Sequence, residues 1–235
     1  MYDDIVDIYD QIFPLNQAFL RFLHSYLPDD GGRVLDLGCG PGDVVDLLTK
    51  SGYRSVGIDN SEGMIAAAKR KHHGTFYPYG FDDINRLEGP FDLIYCVGNS
   101  LSYLPNDQLD FFMKDVASLL DEGGIFLSQV VNWDRFLNKG QISFEEKPIS
   151  GGRSFHRQYQ EGIEGTVVFY TALKKGGQIL GEWSDILYPK TRSLLKNTAN
   201  NSGLSNPSFY GDYQKTPFHP EESAALIMAA YNCRG

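Results

Sequence analysis

Short continuous apolar runs alternate along this chain with stretches whose apolar residues recur every third or fourth position, which predicts buried strands alternating with amphipathic helices. Residues 3–27 read as helical in two pieces broken at Pro14, the second carrying Leu15, Phe19, Phe22, Leu23, Tyr26 and Leu27 at helical spacing. A strand at 33–37, a helix at 43–51 stopped by Gly52, a strand at 54–58 and a helix at 62–71 come next. Ser61 with Glu62 opens that last helix and Lys69, Arg70 and Lys71 close it, charges that suit both ends of its dipole. A short strand at 75–79, a strand at 91–97, a helix near 106–121 and a strand at 124–131 follow. Leu109, Phe112, Met113, Val116, Leu119 and Leu120 share one face of that helix.

The pattern changes at about Gly140. Runs rich in β-formers, Arg153 to Tyr159, Thr166 to Leu173 and Ile179 to Leu187, are separated by glycine turns, the chemistry of an antiparallel meander. A helix near 190–202 ended by Gly203, then strands near 207–211 and 224–233, resume the earlier alternation, so the meander is an insertion. The expected organisation is residues 1–139 as N-terminal helices and core, 140–189 as a β-rich insertion, and 190–235 as the part that completes the core sheet. The fold class is α/β: a Rossmann-like, mostly parallel seven-stranded sheet with helices on both faces.

One loop dominates the chemistry. Val34 to Leu37 reads as a buried parallel strand, and Gly38, Gly40 and Gly42 after it let the backbone turn tightly and pass close to a ligand before Asp43 opens a helix. The spacing is GxGxG, whereas the dinucleotide fingerprint GxGxxG would put its third glycine at position 43 and a pyrophosphate on the helix N-terminus. Asp43 fills that anion site and repels a second anion. S-adenosyl-L-methionine carries sulfonium and ammonium cations and no phosphate, so it suits this acidic crevice better than a dinucleotide. Asp36 is then the partner for its amino-acid portion, or else a loop or helix cap. Asp59 closes the next strand about 20 residues past the first glycine, where a carboxylate accepts both hydroxyls of a ribose.

Composition narrows the partners. The 235 residues, 42% of them hydrophobic, suffice for one full core, and a formal net charge of −9 disfavours nucleic acid or an anionic membrane as the main partner. Cys39, Cys96 and Cys233 match no metal spacing and read as reduced thiols; the five histidines show no ligand motif, so no metal is expected. The acidic N-terminus lacks a charged-then-apolar leader and no run approaches the ~18 apolar residues of a spanning helix, which predicts a soluble, cytoplasmic protein. GxSxG and P-loop motifs are absent too, leaving hydrolase and triphosphatase readings without support. The basic residues of the insertion, Arg153, His156, Arg157, Lys174, Lys175, Lys190 and Arg192, read mostly as solvated surface from which one cation faces an anionic substrate group.

Further candidates sit at predicted strand ends, the edge where open α/β sheets bind ligands. Asn99 follows the strand at 91–97 and either orients a ligand or bonds its own turn. Asn132, Trp133 and Asp134 follow the next strand and either line an acceptor pocket or cap a helix. Phe81 and Asp82 meet an adenine edge or cap a turn, and Met64 walls an adenine slot or packs the core. Tyr9 orients the acceptor or packs a seam.

The first 136 positions resemble the class I S-adenosylmethionine-dependent methyltransferases, Val34 to Gly42 matching their first motif. Cys96 to Leu101 followed by Tyr103-Leu104-Pro105, then Asn132-Trp133-Asp134, resemble the glycine and sarcosine N-methyltransferase branch, as do the late insertion and Phe209 to Asp212. The resemblance implies that the insertion is a lid over a small methyl acceptor and that the methyl group goes to nitrogen. It assigns Gly38 and Gly40 to the methionine part, Asp59 to the ribose and Phe81 with Asp82 to the adenine, with Asp36, Cys39, Asn60, Met64 and Val97 completing the cofactor set. Asn132 would hold an acceptor carboxylate, with Tyr9, Asn99 and Arg153 as further acceptor-pocket candidates. Two departures stand out: Gly80 replaces an acid at the adenine edge, and the Arg-Asn pair of the glycine enzymes becomes Val131-Asn132, leaving Arg153 or Arg157 to supply the cation. A monomer or homodimer is expected. The rivals are an RNA or protein methyltransferase of the same fold and a non-catalytic S-adenosylmethionine-binding protein.

Overall fold

The computed structural model describes residues 1–137 and 141–233. The predicted change of pattern at Gly140, and with it the 139/140 boundary, lies outside the described residues.

A seven-stranded sheet forms the body of the molecule. It is built from β1 (Arg33–Leu37), β2 (Arg54–Ile58), β3 (Thr75–Tyr77), β4 (Phe91–Cys96), β5 (Leu120–Val131), β11 (Leu204–Tyr210) and β12 (Ala225–Asn232), in the order β11-β12-β5-β4-β1-β2-β3. β1 to β5 pair in parallel, whereas β12 runs antiparallel to both β5 and β11. The order reverses at β1 and β4, so their carboxyl ends open onto a switch-point crevice, where ligands of open α/β sheets bind. Leu35, Leu37, Ile94 and Phe126 join the core cluster on one face of the sheet, and Val34, Leu93, Tyr95 and Leu127 join the cluster on the other. Both faces are thus apolar, which accounts for the continuous apolar runs of the central strands.

Helices follow their end signals. α3 (Gln17–His24) is capped by Asn16, which accepts from the N–H groups of Ala18 and Phe19, and it buries Phe19, Phe22 and Leu23. Ahead of it lie α1 (Tyr2–Ile5), a 3₁₀ turn (Val6–Ile8) and α2 (Tyr9–Ile12), where one continuous piece is predicted. α4 (Asp43–Lys50) and α5 (Glu62–Lys71) flank β2, and Ser61 caps α5 by accepting from the Met64 N–H at 3.1 Å. α6 (Leu109–Leu119) passes directly into β5 without the break predicted at Gly123-Gly124, because the strand absorbs the glycines at a register shift opposite β4. α7 (Trp133–Leu137) is a short turn of helix beyond β5. β11 starts at Leu204, three residues before the expected strand. Pro207, which lacks an N–H, sits in an irregularity of the β11–β12 register on the edge of the sheet, and that hides the strand from a pattern reading.

Between α7 and α8 (Arg192–Asn201) a second, antiparallel sheet forms from β6 (Gln141–Ser143), β7 (Lys147–Ile149), β8 (Arg153–Glu161), β9 (Val167–Lys175) and β10 (Gln178–Leu187). Its order is β10-β9-β8-β6, with β7 also on β8. Ile5, Ile8 and Ile12 of the N-terminal turns pack with Phe155 of β8, so this sheet and the N-terminal segment share a small core of their own.

Candidate functional site

The loop after β1 is held open by its glycines and pinned by its neighbours. The N–H groups of Gly38 and Cys39 both donate to the Ile58 carbonyl, at 2.8 and 2.9 Å, and lock the bend to the end of β2. Gly38 adopts φ +82°, and a side chain there would come within 2.7 Å of Ser100 Oγ. Gly40 adopts φ +53°, and a side chain there would face the Tyr9 hydroxyl at 3.4 Å. Both positions therefore require a bare backbone. Asp59 ties the next step: its Oδ2 accepts from the Gly40 N–H at 2.9 Å and its Oδ1 from the Ser61 N–H at 2.9 Å.

Beside this loop lies a cavity of about 800 Å³ at the carboxyl edge of the sheet. The structure brings Asp36, Gly38, Cys39, Gly40, Asp59, Asn60, Met64, Phe81, Asp82 and Val97 together on its wall, with Tyr9 opposite the loop. Asp36 is buried and accepts from the Tyr95 hydroxyl at 2.8 Å. Burial, reinforced by the charge of Asp59, outweighs that bond and pushes the Asp36 carboxyl up to about 7. The Asp59 carboxyl is also raised, by burial, although its two backbone donors act in the opposite direction. Each Asp59 oxygen accepts one backbone hydrogen bond and keeps acceptor capacity for a further donor.

The structure places three acceptor candidates away from the cavity. Asn99 does not line the cavity; it adopts φ +70° and turns its Oδ1 to the Val131 N–H at 3.0 Å and the Ser102 hydroxyl at 2.8 Å. Asn132 is buried away from it, its Nδ2 donating to the carbonyls of Pro220 and Ser223 and its Oδ1 accepting from the Arg135 N–H. The Asn99 amide oxygen is taken by one backbone N–H and one side-chain hydroxyl, and the Asn132 amide by backbone groups alone. Arg153 donates to the Ser150 carbonyl at 3.0 Å on the outside of the second sheet, and the Arg157 guanidinium lies over the rings of Phe13 and Phe144. Neither arginine reaches the cavity. Trp133 is core, its indole N–H donating to Ser102, and Asp134 accepts from the Arg192 N–H at the start of α8.

Other wall residues escaped the sequence reading because distant segments bring them in. Tyr2 and Tyr103 meet through their hydroxyls at 3.0 Å, and Asp185 arrives from β10 of the second sheet. Burial, with the Asp185 charge contributing, raises both tyrosine hydroxyls and keeps them protonated. Asp3 latches the N-terminal segment to α5 by accepting from the Ser61 hydroxyl at 2.7 Å and the Gly63 N–H at 2.9 Å. Gln129 of β5 accepts from the Gly98 N–H at 2.8 Å and fixes the loop beyond β4. Asp3, Asp10, Asp36, Asp43, Asp59, Asp82 and Asp185 all line the cavity, and among the described residues no lysine, arginine or histidine does.

A glycine bend that bars side chains and an acid at the end of β2 meet in an acidic crevice at the switch point, and residues 34–124 match the family profile described as a methyltransferase domain. That segment is similar to a methyltransferase domain, and the chain shares its fold with solved S-adenosylmethionine-dependent methyltransferases. Among solved structures of that class, an S-adenosylmethionine-dependent methyltransferase from Clostridium acetobutylicum ATCC 824 superimposes with a TM-score of 0.77 at 18% identity, covering 98% of each chain. Human glycine N-methyltransferase is 30% identical over 128 residues, covering 46% of this chain and 43% of the relative. The glycine/sarcosine N-methyltransferase of Parasynechococcus marenigrum (strain WH8102) is 25% identical over 231 residues, covering 93% of this chain and 80% of the relative. Over the methyltransferase domain, the chain spans about half the length of the curated relatives it matches.

Among the described residues, no group of three or more histidine, cysteine, aspartate or glutamate side chains could hold a metal ion, and no helix is long and apolar enough to cross a membrane. The three cysteines are unpaired.

Proposed function

We propose that this chain is an S-adenosylmethionine-dependent methyltransferase that transfers a methyl group to the nitrogen of a small-molecule acceptor by in-line displacement. The observation that carries this reading is the cavity wall: a bare glycine bend, seven aspartates and no cationic side chain among the described residues, a lining that favours a phosphate-free cationic nucleoside over a dinucleotide. Similarity to a glycine/sarcosine N-methyltransferase supports nitrogen as the acceptor atom. When bound, S-adenosylmethionine supplies a methyl group on a sulfonium, already a good leaving group.

The chain's own residues then align and enclose. Asp59 takes the ribose diol, Asp36 answers the ammonium of the amino-acid part, and Phe81 and Met64 enclose the adenine beside Asp82. Cys39, Asn60 and Val97 complete the contacts. Tyr9 and the N-terminal segment close one side, and the β-rich insertion of residues 140–189 serves as a lid over the acceptor. Little acid-base machinery is needed, because alignment of three atoms in a dry pocket supplies most of the acceleration. The enzyme acts as a cytoplasmic monomer or homodimer, and neither nucleic acid nor membrane is its partner.

Calorimetric titration with S-adenosylmethionine, followed by a screen of amines and hydroxyl compounds for S-adenosylhomocysteine release, tests the proposal. Binding plus turnover of a small amine is the expected result. Binding without turnover across all acceptors would indicate a regulator, and turnover of RNA or protein alone would indicate the same-fold rival.

A further inference from the structure

Tyr2, Tyr103 and Asp185 reach the cavity from three separate parts of the fold: the N-terminal helix, the turn after β4, and the second sheet. The two hydroxyls touch at 3.0 Å, and the Tyr2 ring stands edge-on to Tyr103 at 6.1 Å and tilted to Tyr9 at 6.5 Å. Asp185 acts on the hydroxyls of Tyr2 and Tyr103, whereas Tyr9 faces Asp36 and Asp59. Among the described residues no side chain donates a hydrogen bond to Asp185, and no lysine, arginine or histidine enters the cavity to neutralise it. Basic residues of this part of the chain are spent elsewhere: Arg153 on Ser150, Arg157 over Phe13 and Phe144, Lys174 on Glu146, and Lys190 on the carbonyls of Leu104 and Tyr188.

Such a lining has a definite selectivity. A carboxylate or phosphate on the acceptor would be brought against aspartates with no lysine, arginine or histidine among the described residues to receive it, the Met1 ammonium being paired with Asp4 at 3.6 Å, a like-charge arrangement that costs affinity. An ammonium group meets the reverse situation, an ion-pair partner in Asp185 and ring faces that attract cations. We propose that the acceptor is an amine that bears no carboxylate or phosphate, its ammonium form held by Asp185 beside Tyr2 and Tyr103; the ammonium passes its proton to the Asp185 carboxylate, which frees the nitrogen lone pair to take the methyl group, with S-adenosylhomocysteine as the leaving group. This deepens the methyltransferase reading and rests on it. It also separates this chain from the amino-acid acceptor that its glycine/sarcosine N-methyltransferase relative is named for, because Asn132, the residue expected to hold a carboxylate, is committed to Pro220 and Ser223.

The test is a thermal-shift and calorimetric panel on the full chain saturated with S-adenosylhomocysteine, using glucosamine, tyramine and putrescine as amines and glycine, sarcosine and phosphoethanolamine as anionic counterparts. The wild type is compared with Asp185→Asn and with Asp185→Glu. At least one amine should stabilise the wild type, lose at least ten-fold in affinity in Asp185→Asn and regain part of it in Asp185→Glu, while the anionic compounds give no response. S-adenosylmethionine affinity should be the same in all three proteins, which also shows that the variants are folded. Binding of glycine, sarcosine or phosphoethanolamine overturns the proposal, and so does an amine response that is absent or unchanged by Asp185→Asn. Weakened S-adenosylmethionine binding in Asp185→Asn also overturns it, by assigning the carboxylate to the cofactor. Failure of the wild type to bind S-adenosylmethionine at all defeats the underlying methyltransferase reading instead.

Discussion

Asp36 shows how one carboxylate couples folding to ligand. It is buried beside the glycine bend, with Tyr95 as its hydrogen-bond donor and Asp59 nearby, and its carboxyl is pushed up to about 7. Between its ordinary value near 4 and about 7 the folded protein keeps a proton that the unfolded chain has lost, so this residue's contribution to stability falls as pH rises through that window. Above it the folded state carries a buried charge costing on the order of 4 kcal/mol. A cationic ligand reverses the balance. The expected outcomes are proton release on S-adenosylmethionine binding at pH 6.5, seen by calorimetry in buffers of different ionisation enthalpy, and weaker affinity as pH falls from 8 to 6. Asp36→Asn retains an acceptor for Tyr95 and removes the charge. The ligand-free protein should therefore melt at least about 5 °C higher at pH 8, while its affinity drops and the proton release vanishes. An unchanged melting temperature would show that Asp36 carries no burial penalty.

At the scale of elements, the connection from β10 to α8 is stitched to the cavity wall. The Tyr188 N–H donates to the Ser102 carbonyl at 2.7 Å, and the buried Lys190 donates to the Leu104 carbonyl, Asn106 Oδ1 and the Tyr188 carbonyl at 2.5, 2.7 and 3.0 Å. Burial holds the Lys190 ammonium down to about 7. Lys190→Ala strips three acceptors of their donor inside the protein and should destabilise it by about 2–4 kcal/mol in urea unfolding; a loss under 0.5 kcal/mol would contradict this role. Lys190 also illustrates what a sequence conceals, since a lysine in a basic cluster reads as surface until the fold encloses it. Asn99 and Asn132 show the converse, polar side chains expected at the cavity that the fold turns away from it. Their places beyond strand ends were legible, but where each amide points depends on partners the fold supplies, the Val131 N–H and Ser102 hydroxyl for Asn99 and the Pro220 and Ser223 carbonyls for Asn132. The parallel strands and the helices between them were readable because each is written in a local period, whereas the 3₁₀ turns at Phe81–Arg86 and Ser100–Tyr103 carry no such period.

The whole molecule is an acidic crevice closed by elements far apart in sequence. The glycine bend and Asp59 were legible because they lie within one β-loop-α-β unit and their spacing follows from its geometry. Tyr2, Tyr103 and Asp185 were not, because their meeting depends on how the second sheet and the N-terminal segment pack over the first sheet. In the proposed function all of them act on a ligand that the bend and Asp59 must first seat, so the account stands on that contact. Its most direct test is calorimetric titration of the wild type and Asp59→Ala with S-adenosylmethionine, with NADH as competitor. Loss of charge-assisted hydrogen bonds to two ribose hydroxyls should weaken binding about 100-fold or more, and NADH should not displace the ligand from the wild type. Unchanged affinity in a folded Asp59→Ala protein, or displacement by NADH, would contradict the account.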